Sequence, residues 1–419
     1  MPYQKSSLLH FFPDRIIKSA AERFGTPLFL YSRELLEKQA VCYTKAFAGT
    51  DTLFCYAMKA NSTRGFCRIL SSKGFGADVV SGGELFRALR SGFPAEKIIF
   101  SGVGKTKEEI EYALRENILF INVESFEELK LLESIACSMG KKVRFSIRVN
   151  PDVDPHTHAY ISTGQSGSKF GVSFDDAFEM YRHAAASVNL VPAGVHSHIG
   201  SQISSGEPYK IAESRMAEFL GRLSAAGINP EYADIGGGWG AAEGCEMQPP
   251  EALRAAAEPL LRRGRKIIVE PGRSIAAPCG ILISKVLYRK RSGSKNYIIT
   301  DGGMNDFLRP SLYGAKHPVY VPGKNCGSGG NINENSAYIP CDVAGPVCES
   351  GDFLAKNVML PEVERGDLVV LLSAGAYGFS MSSNYNSRPR AAEAIIENGD
   401  IKLLRRRETL QDIIAAETD

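Results

Sequence analysis

The sequence lacks any apolar run that approaches the roughly 18 residues needed for a membrane helix. Its first residues, MPYQKSSLLHFFPDR, hold only a short apolar run that Pro13 ends, too short and too polar for a signal peptide. The 49 basic and 47 acidic side chains nearly balance and form no basic stripe, which argues against a nucleic-acid partner. Nine cysteines, an odd number without CxxC spacing, predict reduced thiols rather than a disulfide framework. These absences favour a cytoplasmic protein with no membrane or nucleic-acid partner.

The glycine-rich motifs of nucleotide-binding proteins are also missing. No GxGxxG follows an early strand, and no GxxxxGK[ST] occurs, which excludes the usual dinucleotide and P-loop sites. At 419 residues the chain is longer than one ordinary core requires, so we expect two domains.

Short apolar runs alternate with amphipathic segments through the first two-thirds of the chain. The runs predicted to be strands are Leu53–Met58, Ala77–Val80, Lys97–Phe100, Leu119–Val123, Val143–Val149, Ala193–His198, Tyr232–Ile235 and Lys266–Val269. The clearest predicted helices are Gly83–Arg90, Lys107–Glu116, Ser125–Met139, Asp175–Ala186 and Tyr209–Ala226, the third capped at Glu124-Ser125. Eight strand–helix units predict a parallel, closed (β/α)8 barrel.

After about Pro278 the pattern becomes β-rich and predicts an all-β domain with antiparallel strands. The predicted strands are Ile281–Tyr288, Tyr297–Thr300, Pro318–Val321, Ser336–Cys341, Asp367–Leu372 and Ile401–Arg405. A polar loop, Gly323–Asn335, separates two of them, and a helix is expected at Arg390–Glu397. The fold class is therefore α/β plus all-β.

Polar residues occupy the predicted strand ends, where (β/α)8 barrels carry their reactive groups. Lys59 follows the first strand, and a buried lysine there is suited to a Schiff base with an aldehyde, although a lysine reaching out to solvent fits as well. His196 and His198 share one face of the sixth strand, as ligands or as buried, satisfied histidines. Because no carboxylate stands at a usual ligand spacing from them, no metal site is predicted.

Two further strand ends carry a glycine run and an acid. Gly236, Gly237 and Gly238 present backbone N–H groups to a phosphate, or form a tight turn. Glu270 is suited to hold a proton on a ring nitrogen, and Arg273 to bind an anion, unless the two form an internal ion pair. A lysine, a ring surface, a phosphate cradle and an acid are together what pyridoxal phosphate requires.

At this point the sequence resembles the fold-type III pyridoxal-phosphate-dependent decarboxylases, in particular the diaminopimelate decarboxylase family. The matching motifs, in family order along nearly the whole chain, are YAMKAN (56–61), GADVVSGGEL (76–85), HSHIGSQ (196–202), GGGWG (236–240), EPGR (270–273), DGGMNDFLRPSLYGAKH (301–317), CESGD (348–352) and GAYGFSMSSNYNSRPR (375–390). Trp239 departs from the smaller residue expected in the glycine loop.

The resemblance implies a (β/α)8 TIM barrel at 33–279 and a C-terminal antiparallel β-barrel domain that combines 1–32 with 280–419, segment 375–397 returning towards the active site. It implies the cofactor contacts Lys59, Asp78, His198, Ser201, Gly236, Gly237, Gly238, Glu270, Gly272, Arg273 and Tyr377. Lys59 would hold the cofactor covalently, His198 would stack on its ring, and Glu270 would pair with the pyridine nitrogen.

For the substrate, the resemblance implies meso-2,6-diaminopimelate, decarboxylated to L-lysine and carbon dioxide. The implied substrate contacts are Arg273, Arg309, Tyr313, Glu349 and Tyr377, with Cys348 as proton donor at the reacting carbon. A distal carboxylate requires buried cations such as Arg273 and Arg309, whereas a bare distal amine requires an acid, so charge complementarity favours diaminopimelate over ornithine. Cys348 and Glu349 would come from the partner subunit of a homodimer.

Other functions share part of this pattern. A related decarboxylase acting on carboxynorspermidine or a siderophore precursor would keep Lys59, His198 and Glu270, so only Arg309, Tyr313 and Glu349 distinguish it. An alanine racemase needs a tyrosine base facing the lysine and leaves CESGD unexplained. A non-catalytic binding homologue is expected to lose the lysine or the cofactor contacts, which are present here.

Overall fold

The structure, a computed structural model, describes residues 7–153, 169–241, 250–324 and 338–418. These residues form two compact units. The barrel unit lies within Gln39–Gly240 and Gln248–Ser274, and the sheet unit within Met1–Lys38, Ala241–Met247 and Ile275–Asp419.

The chain opens with helix α1 (Asp14–Phe24), strand β1 (Leu28–Ser32) and helix α2 (Arg33–Ala46). Every residue of β1 is buried. A strand buried along its whole length is typical of a central position in a sheet, where both faces are covered.

Eight parallel strands then close into a barrel. They are β2 (Thr52–Ala57), β3 (Gly76–Val79), β4 (Ile98–Phe100), β5 (Phe120–Val123), β6 (Val143–Val149), β7 (Leu190–Ser197), β8 (Tyr232–Asp234) and β9 (Lys266–Val269). Closure is made by β2 and β9, with Leu53 opposite Ile268. The predicted (β/α)8 barrel is confirmed.

Eight α-helices of the described residues lie between these strands, and a side chain caps the start of four of them. They are α3 (Arg64–Ser72), α4 (Gly82–Arg90), α5 (Lys107–Glu116), α6 (Phe126–Ser138), α7 (Phe174–Ala185), α8 (Glu207–Ala225), α9 (Glu251–Ala256) and α10 (Glu258–Leu261). Ser81, Thr106, Ser125 and Ser173 each accept a hydrogen bond from a backbone N–H in the first turn of the helix that follows. Such caps satisfy donors that the helix itself leaves unpaired.

The barrel strands are mainly apolar because few of their residues meet solvent. All residues of β3, β4 and β5 are buried. One core cluster joins side chains from five different strands, namely Cys55, Ile99, Phe120, Ala193 and Ile268. Packing of this kind fixes the strands and leaves their carboxyl ends to carry polar residues.

The sheet unit continues after the barrel with short helices and further strands. The helices are α11 (Arg273–Ala276), α12 (Arg309–Tyr313) and α13 (Leu410–Ile414), and the strands are β10 (Gly280–Ser292), β11 (Lys295–Thr300), β12 (Val319–Tyr320), β13 (Tyr338–Ala344), β14 (Phe353–Pro361), β15 (Leu368–Leu371), β16 (Ala392–Glu397) and β17 (Asp400–Arg405).

These strands form one nine-stranded sheet with the order β14-β13-β11-β10-β1-β16-β17, to which β15 adds at β10 and β12 at β15. Strand β1 pairs antiparallel with β10 and parallel with β16, Leu28 lying opposite Ile283 and Ala392. Strands β11 and β13 are also parallel. The second domain is thus a mixed sheet, mainly antiparallel as predicted but with two parallel pairs.

One predicted element is wrong. Arg390–Glu397 was expected to be helical, but Ala392–Glu397 forms β16 between β1 and β17. Local alanine content favours a helix, whereas pairing on both sides and burial of the first four residues favour the strand.

Some predictions fall outside the described residues: most of the loop Gly323–Asn335, the start of the strand Ser336–Cys341, and Cys245 and Cys326. The seven described cysteines are all free. In the described ranges, no helix combines the length and the hydropathy required to cross a bilayer.

Candidate active site

The carboxyl ends of β2 and β3 place a lysine beside a buried acid. Lys59 lies just past β2, and its Nζ atom is 3.7 Å from Oδ2 of Asp78, a residue of β3. Asp78 is buried, whereas the Lys59 side chain is 40% exposed. The two strand ends are also tied through their backbones, since the N–H of Met58 donates to the carbonyl of Asp78. The lysine is therefore held at the strand end with part of its side chain exposed.

Strands β7, β8 and β9 bring a histidine and two carboxylates together. The register places His196 opposite Asp234, and Glu270 follows β9 directly. The Nε2 atom of His196 is 3.5 Å from Oε1 of Glu270. One potential ligand atom from each of the three residues lies within 4.8 Å of the others, a spacing that could also hold a metal ion. Spacing along the sequence did not predict this cluster, because its members come from three separate strands.

Burial and mutual repulsion distribute the charge unequally among the carboxyl groups. Burial, followed by repulsion from Glu270, raises the pKa of Asp78 to about 8. The same two causes raise the pKa of Asp234 well above its ordinary value. Burial also tends to raise the pKa of Glu270, but attraction to His196, together with that to Lys59, outweighs it and lowers the pKa to about 2. The negative charge of the cluster is therefore concentrated on Glu270.

The glycine loop after β8 has no space for side chains. A Cβ atom on Gly236 would fall on the carbonyl oxygen of Ser197, one on Gly237 on that of Glu270, and one on Gly238 on that of Gly200. Gly236 and Gly238 also adopt positive φ angles, +66° and +96°, that favour glycine.

Two of the three glycine N–H groups already have acceptors in the protein. Gly236 donates to Oδ1 of Asp234 at 2.9 Å, and Gly237 donates to Nδ1 of His198 at 3.1 Å. The loop therefore offers an anion close approach to its backbone rather than three available donors, which refines the sequence prediction.

Two buried aromatic residues, Tyr209 and Trp239, pack at the glycine loop. The hydroxyl of Tyr209 donates to the carbonyl of Gly237 at 2.8 Å, and the ring of Trp239 lies 6.1 Å from that of Tyr209. Trp239, unexpected in this position, is 5% exposed and fills the space beside Tyr209. The larger residue is accommodated by packing and leaves the glycine positions intact.

Arg273 and Ser201 meet at the same end of the barrel. The Nε and Nη2 atoms of Arg273 donate to Oγ of Ser201 at 3.3 and 3.2 Å. Gly272, just before the arginine, is closely packed, since a Cβ would be 3.0 Å from that of Ala57. The structure thus brings together Lys59, Asp78, His198, Ser201, Gly236, Gly237, Gly238, Glu270, Gly272 and Arg273 at the strand ends of one barrel.

The sheet unit contains the other predicted residues. Arg309 and Tyr313 are the first and last residues of α12, four positions apart and hence on one face. Arg309 is buried, and its Nη1 lies 2.8 Å from Nε2 of His317. A buried guanidinium is a strong site for a carboxylate.

Cys348 and Glu349 lie on an exposed turn held by a buried acid. Oδ1 of Asp352 accepts a hydrogen bond from the N–H of Met304 at 2.6 Å, and Oδ2 accepts one from that of Val347 at 2.7 Å. Asp352 is 4% exposed, whereas Cys348 and Glu349 are exposed. The turn is anchored by these hydrogen bonds, and the two residues are exposed on it.

Tyr377 has a backbone conformation that side chains rarely adopt. Its φ angle is +54°, in the left-handed region. Gly375 and Gly378 on either side are closely packed, because a Cβ on either residue would meet a backbone atom within 3 Å. Surrounding packing therefore imposes this conformation on a partly buried tyrosine, a feature common at functional sites.

Several charged residues near the barrel mouth were not predicted. Glu124, proposed as a helix cap, instead accepts a hydrogen bond from Nη1 of Arg148 at 3.1 Å, and the cap itself is Ser125. Glu84 is close enough to Lys59 to interact with its charge. The feature of the sequence that could have indicated them is a charged residue within or directly after a predicted strand, such as Arg148 in β6.

Comparison with known proteins gives matches over nearly the whole chain. Residues 33–277 match the family described as "Pyridoxal-dependent decarboxylase, pyridoxal binding domain". A diaminopimelate decarboxylase of Aquifex aeolicus is 45% identical over 406 residues, which cover 96% of this chain and 94% of that protein. One from Helicobacter pylori strain J99 is 46% identical over 94% of this chain and 95% of that protein.

The chain is also similar to solved structures of diaminopimelate decarboxylases. The crystal structure of diaminopimelate decarboxylase from Helicobacter pylori, complexed with L-lysine, has a TM-score of 0.89 and 44% identity over 96% of this chain and 98% of that one. The corresponding enzyme of M. jannaschii, also in complex with L-lysine, has a TM-score of 0.88 and 35% identity over 96% of this chain and 94% of that one.

Proposed function

Because the chain belongs to the pyridoxal-dependent decarboxylase family, we propose that it is a carboxy-lyase that converts meso-2,6-diaminopimelate into L-lysine and carbon dioxide, the last step of lysine biosynthesis. The observation that carries the proposal is the joint placement of Lys59, His198, Glu270 and the closely packed glycine loop at the strand ends of one barrel.

The residues of the barrel mouth fit pyridoxal phosphate. The glycines of the loop carry no side chains, so that a phosphate could approach the backbone closely, and the Lys59 side chain is 40% exposed. Glu270 carries a buried negative charge, which a protonated pyridine nitrogen would compensate. His198 keeps Nδ1 as an acceptor and burial lowers its pKa well below its usual value, so that a neutral ring is available for stacking.

When bound, pyridoxal phosphate supplies an aldehyde for the substrate amine and a ring that takes up the electron pair left by carbon dioxide. Lys59 would bind the aldehyde and yield it to the substrate. Glu270 would hold the proton of the ring nitrogen, and Asp78, largely protonated, would add no second full charge beside Lys59. Ser201 and the loop Gly236–Gly238 would hold the phosphate, with Gly272 allowing close approach.

Selection of the substrate is assigned to cationic and acidic side chains. Arg273, Arg309 and Tyr313 would bind the distal carboxylate, and Glu349 the distal ammonium group. Cys348 would deliver a proton to the reacting carbon, and Tyr377 would contact cofactor or substrate. A substrate without a distal carboxylate would forgo the contact with the buried Arg309, which disfavours simple diamines.

We further propose a cytoplasmic homodimer in which Cys348 and Glu349 complete the active site of the partner. Both residues are exposed on this chain, while the turn that carries them is firmly anchored by Asp352. An anchored turn with outward-facing reactive groups is suited to serve a neighbouring subunit.

The proposed function is tested by the absorbance spectrum of the protein with pyridoxal phosphate, followed by an assay of lysine formed from meso-diaminopimelate. A Schiff-base band and lysine formation are expected, both lost in Lys59→Ala and both retained in Lys73→Ala, which changes an exposed lysine. A band without lysine would redirect the proposal to another diamino acid as substrate. Absence of any band would overturn the enzyme assignment.

A further inference from the structure

His317 is a buried histidine whose two ring nitrogens both contact other groups of the protein. It lies eight residues after Arg309 and is 4% exposed. Its Nε2 is 2.8 Å from Nη1 of Arg309, and its Nδ1 is 3.0 Å from the carbonyl oxygen of Leu372. The ring of Phe307 packs edge-on against it, with ring centroids 4.7 Å apart.

The chemistry of these partners fixes the protonation state of the imidazole. A carbonyl oxygen only accepts hydrogen bonds, so Nδ1 must carry the hydrogen that contacts Leu372. A guanidinium only donates, so Nε2 must present its lone pair to Arg309. His317 is therefore neutral, in the Nδ1–H tautomer. The imidazolium form could not accept from Arg309 and would place two cations in contact.

A hydrogen bond to one nitrogen of a guanidinium orients the whole group. The five N–H donors of arginine lie in one rigid plane, so fixing Nη1 limits where the other donors point. The His317 ring is itself held in place by Leu372 and Phe307, so its Nε2 atom has a fixed position relative to Arg309. Arg309 thus loses rotational freedom before any anion arrives, which reduces the entropic cost of binding.

We propose that His317 is a positioning residue that holds the Arg309 guanidinium ready for the distal carboxylate of the substrate. The inference rests on the proposed function, which assigns that carboxylate to Arg309. The competing interpretation is a histidine that only fills and satisfies the core of the sheet unit. The two interpretations differ in whether the Nε2 contact with Arg309 contributes to substrate binding: positioning requires it, whereas structural anchoring depends on Nδ1 alone.

Two substitutions separate the ring nitrogens. His317→Gln can place an amide oxygen near the Nε2 position and keep an acceptor for Arg309, whereas His317→Asn can place an amide N–H near Nδ1 and keep the contact with Leu372. L-Lysine, the product of the proposed reaction, is the probe, and its binding to the holoenzyme is measured by calorimetry. His183→Asn, on α7 in the barrel unit, is the matched control.

Positioning predicts that His317→Asn weakens lysine binding by about 10-fold or more, as expected for loss of a hydrogen bond to a charged group. His317→Gln is expected to recover most of that loss, and His183→Asn to bind like the wild type. In turnover, His317→Asn should raise KM for diaminopimelate with a smaller effect on kcat. Equal losses in both His317 variants, or a larger loss in His317→Gln, would overturn the proposal.

A measurement on the unmodified protein covers the case in which the variants do not fold. Nitrogen-15 spectra of the histidine-labelled holoenzyme are expected to show one of the seven histidines locked as the Nδ1–H tautomer. Absence of such a histidine would contradict the arrangement. Failure of the wild type to form lysine from diaminopimelate would instead count against the proposed function, and the spectra would still decide the state of His317.

Discussion

The backbone N–H of Gly237 donates a hydrogen bond to Nδ1 of His198 across 3.1 Å. The contact joins the loop after β8 to the residue that follows β7, and it requires the lone pair of Nδ1. His198 consequently keeps its hydrogen on Nε2, the opposite tautomer to that of His317. One backbone amide thus sets both the orientation and the protonation of the ring proposed to stack on the cofactor.

Gly237→Ala should disrupt this arrangement, because the added methyl group would fall on the carbonyl oxygen of Glu270. The backbone of Gly237 or of Glu270 has to move, so we expect a loss of about 1–3 kcal/mol in the free energy of unfolding. Affinity for pyridoxal phosphate should fall by about 10-fold or more, since each 1.4 kcal/mol is a factor of ten. Titration of the apoprotein with the cofactor, with denaturant unfolding alongside, measures both.

The control for that substitution is Gly104→Ala, because a Cβ at Gly104 meets nothing within 4 Å and the position needs no left-handed backbone. It should change stability by less than about 0.5 kcal/mol and leave cofactor affinity unaltered. Equal behaviour of the two variants would show that the glycine loop is less tightly packed than described.

Asp352→Ala removes the acceptor that holds the turn of Cys348. Two N–H groups, those of Met304 and Val347, lose a charged partner, and we expect the free energy of unfolding to fall by about 2–4 kcal/mol. Displacement of the turn should lower kcat by about 10-fold or more, which steady-state kinetics measure. Asp352→Asn, which keeps one oxygen, should be intermediate. Full activity in Asp352→Ala would show that the turn does not depend on this anchor.

Mixed dimers test whether the active site is shared. Lys59→Ala and Cys348→Ala are each expected to be inactive or nearly so as pure proteins. If Cys348 acts in the partner's site, mixing and re-equilibrating the two variants should restore about a quarter of wild-type activity, because half the dimers are hybrid and each hybrid has one intact site. No recovery, with hybrid dimers demonstrated by native mass spectrometry, would assign Cys348 to the site of its own chain.

Asp306 makes stability of the protein depend on pH. Burial raises its pKa to about 7, despite a hydrogen bond from Gly303 and the charges of Arg388 and Arg407. The protonated form is thus favoured by folding: its stabilisation is complete below about pH 4, the unfolded pKa, and is lost as the pH rises through about 7. The loss is at most about 1.4 kcal/mol per pH unit.

Asp306→Asn removes that titration, since an amide stays neutral and its oxygen can still accept from Gly303. The stability of the variant relative to the wild type should therefore rise between about pH 4 and 7 and then level off. Urea unfolding at several pH values measures the difference. A difference independent of pH would mean that folding does not shift the pKa of Asp306.

The barrel was predictable because its strands are short, mainly apolar runs and half of its helices begin at a capping side chain. Val143–Val149 and Lys107–Glu116 have the bounds that the sequence indicates. The sheet unit was harder to predict from the sequence, because several of its paired strands are far apart along the chain. β1 and β14 were not recognised as strands, and β16 was taken for a helix, since only its position between β1 and β17 favours extended backbone.

Much the same division applies to the candidate site. Lys59 and Glu270 stand out in the sequence because polar residues rarely follow buried strands. The cluster of His196, Asp234 and Glu270 depends on strand register, and the contact of His317 with Arg309 depends on a turn between α12 and β12. Neither has a linear signature, so both required the three-dimensional arrangement.

The position of β1 has a consequence for synthesis of the chain. Its two partners, β10 and β16, begin at Gly280 and Ala392, so that this apolar strand has no sheet neighbour until all eight barrel strands have been synthesised. The eight barrel strands all lie between these partners and β1 in sequence and can pair earlier. During translation β1 is a strand with two open edges, the kind of segment that chaperones cover and that aggregates when they do not. A ribosome that stalls before Ala392 would release a chain whose central strand still lacks one side.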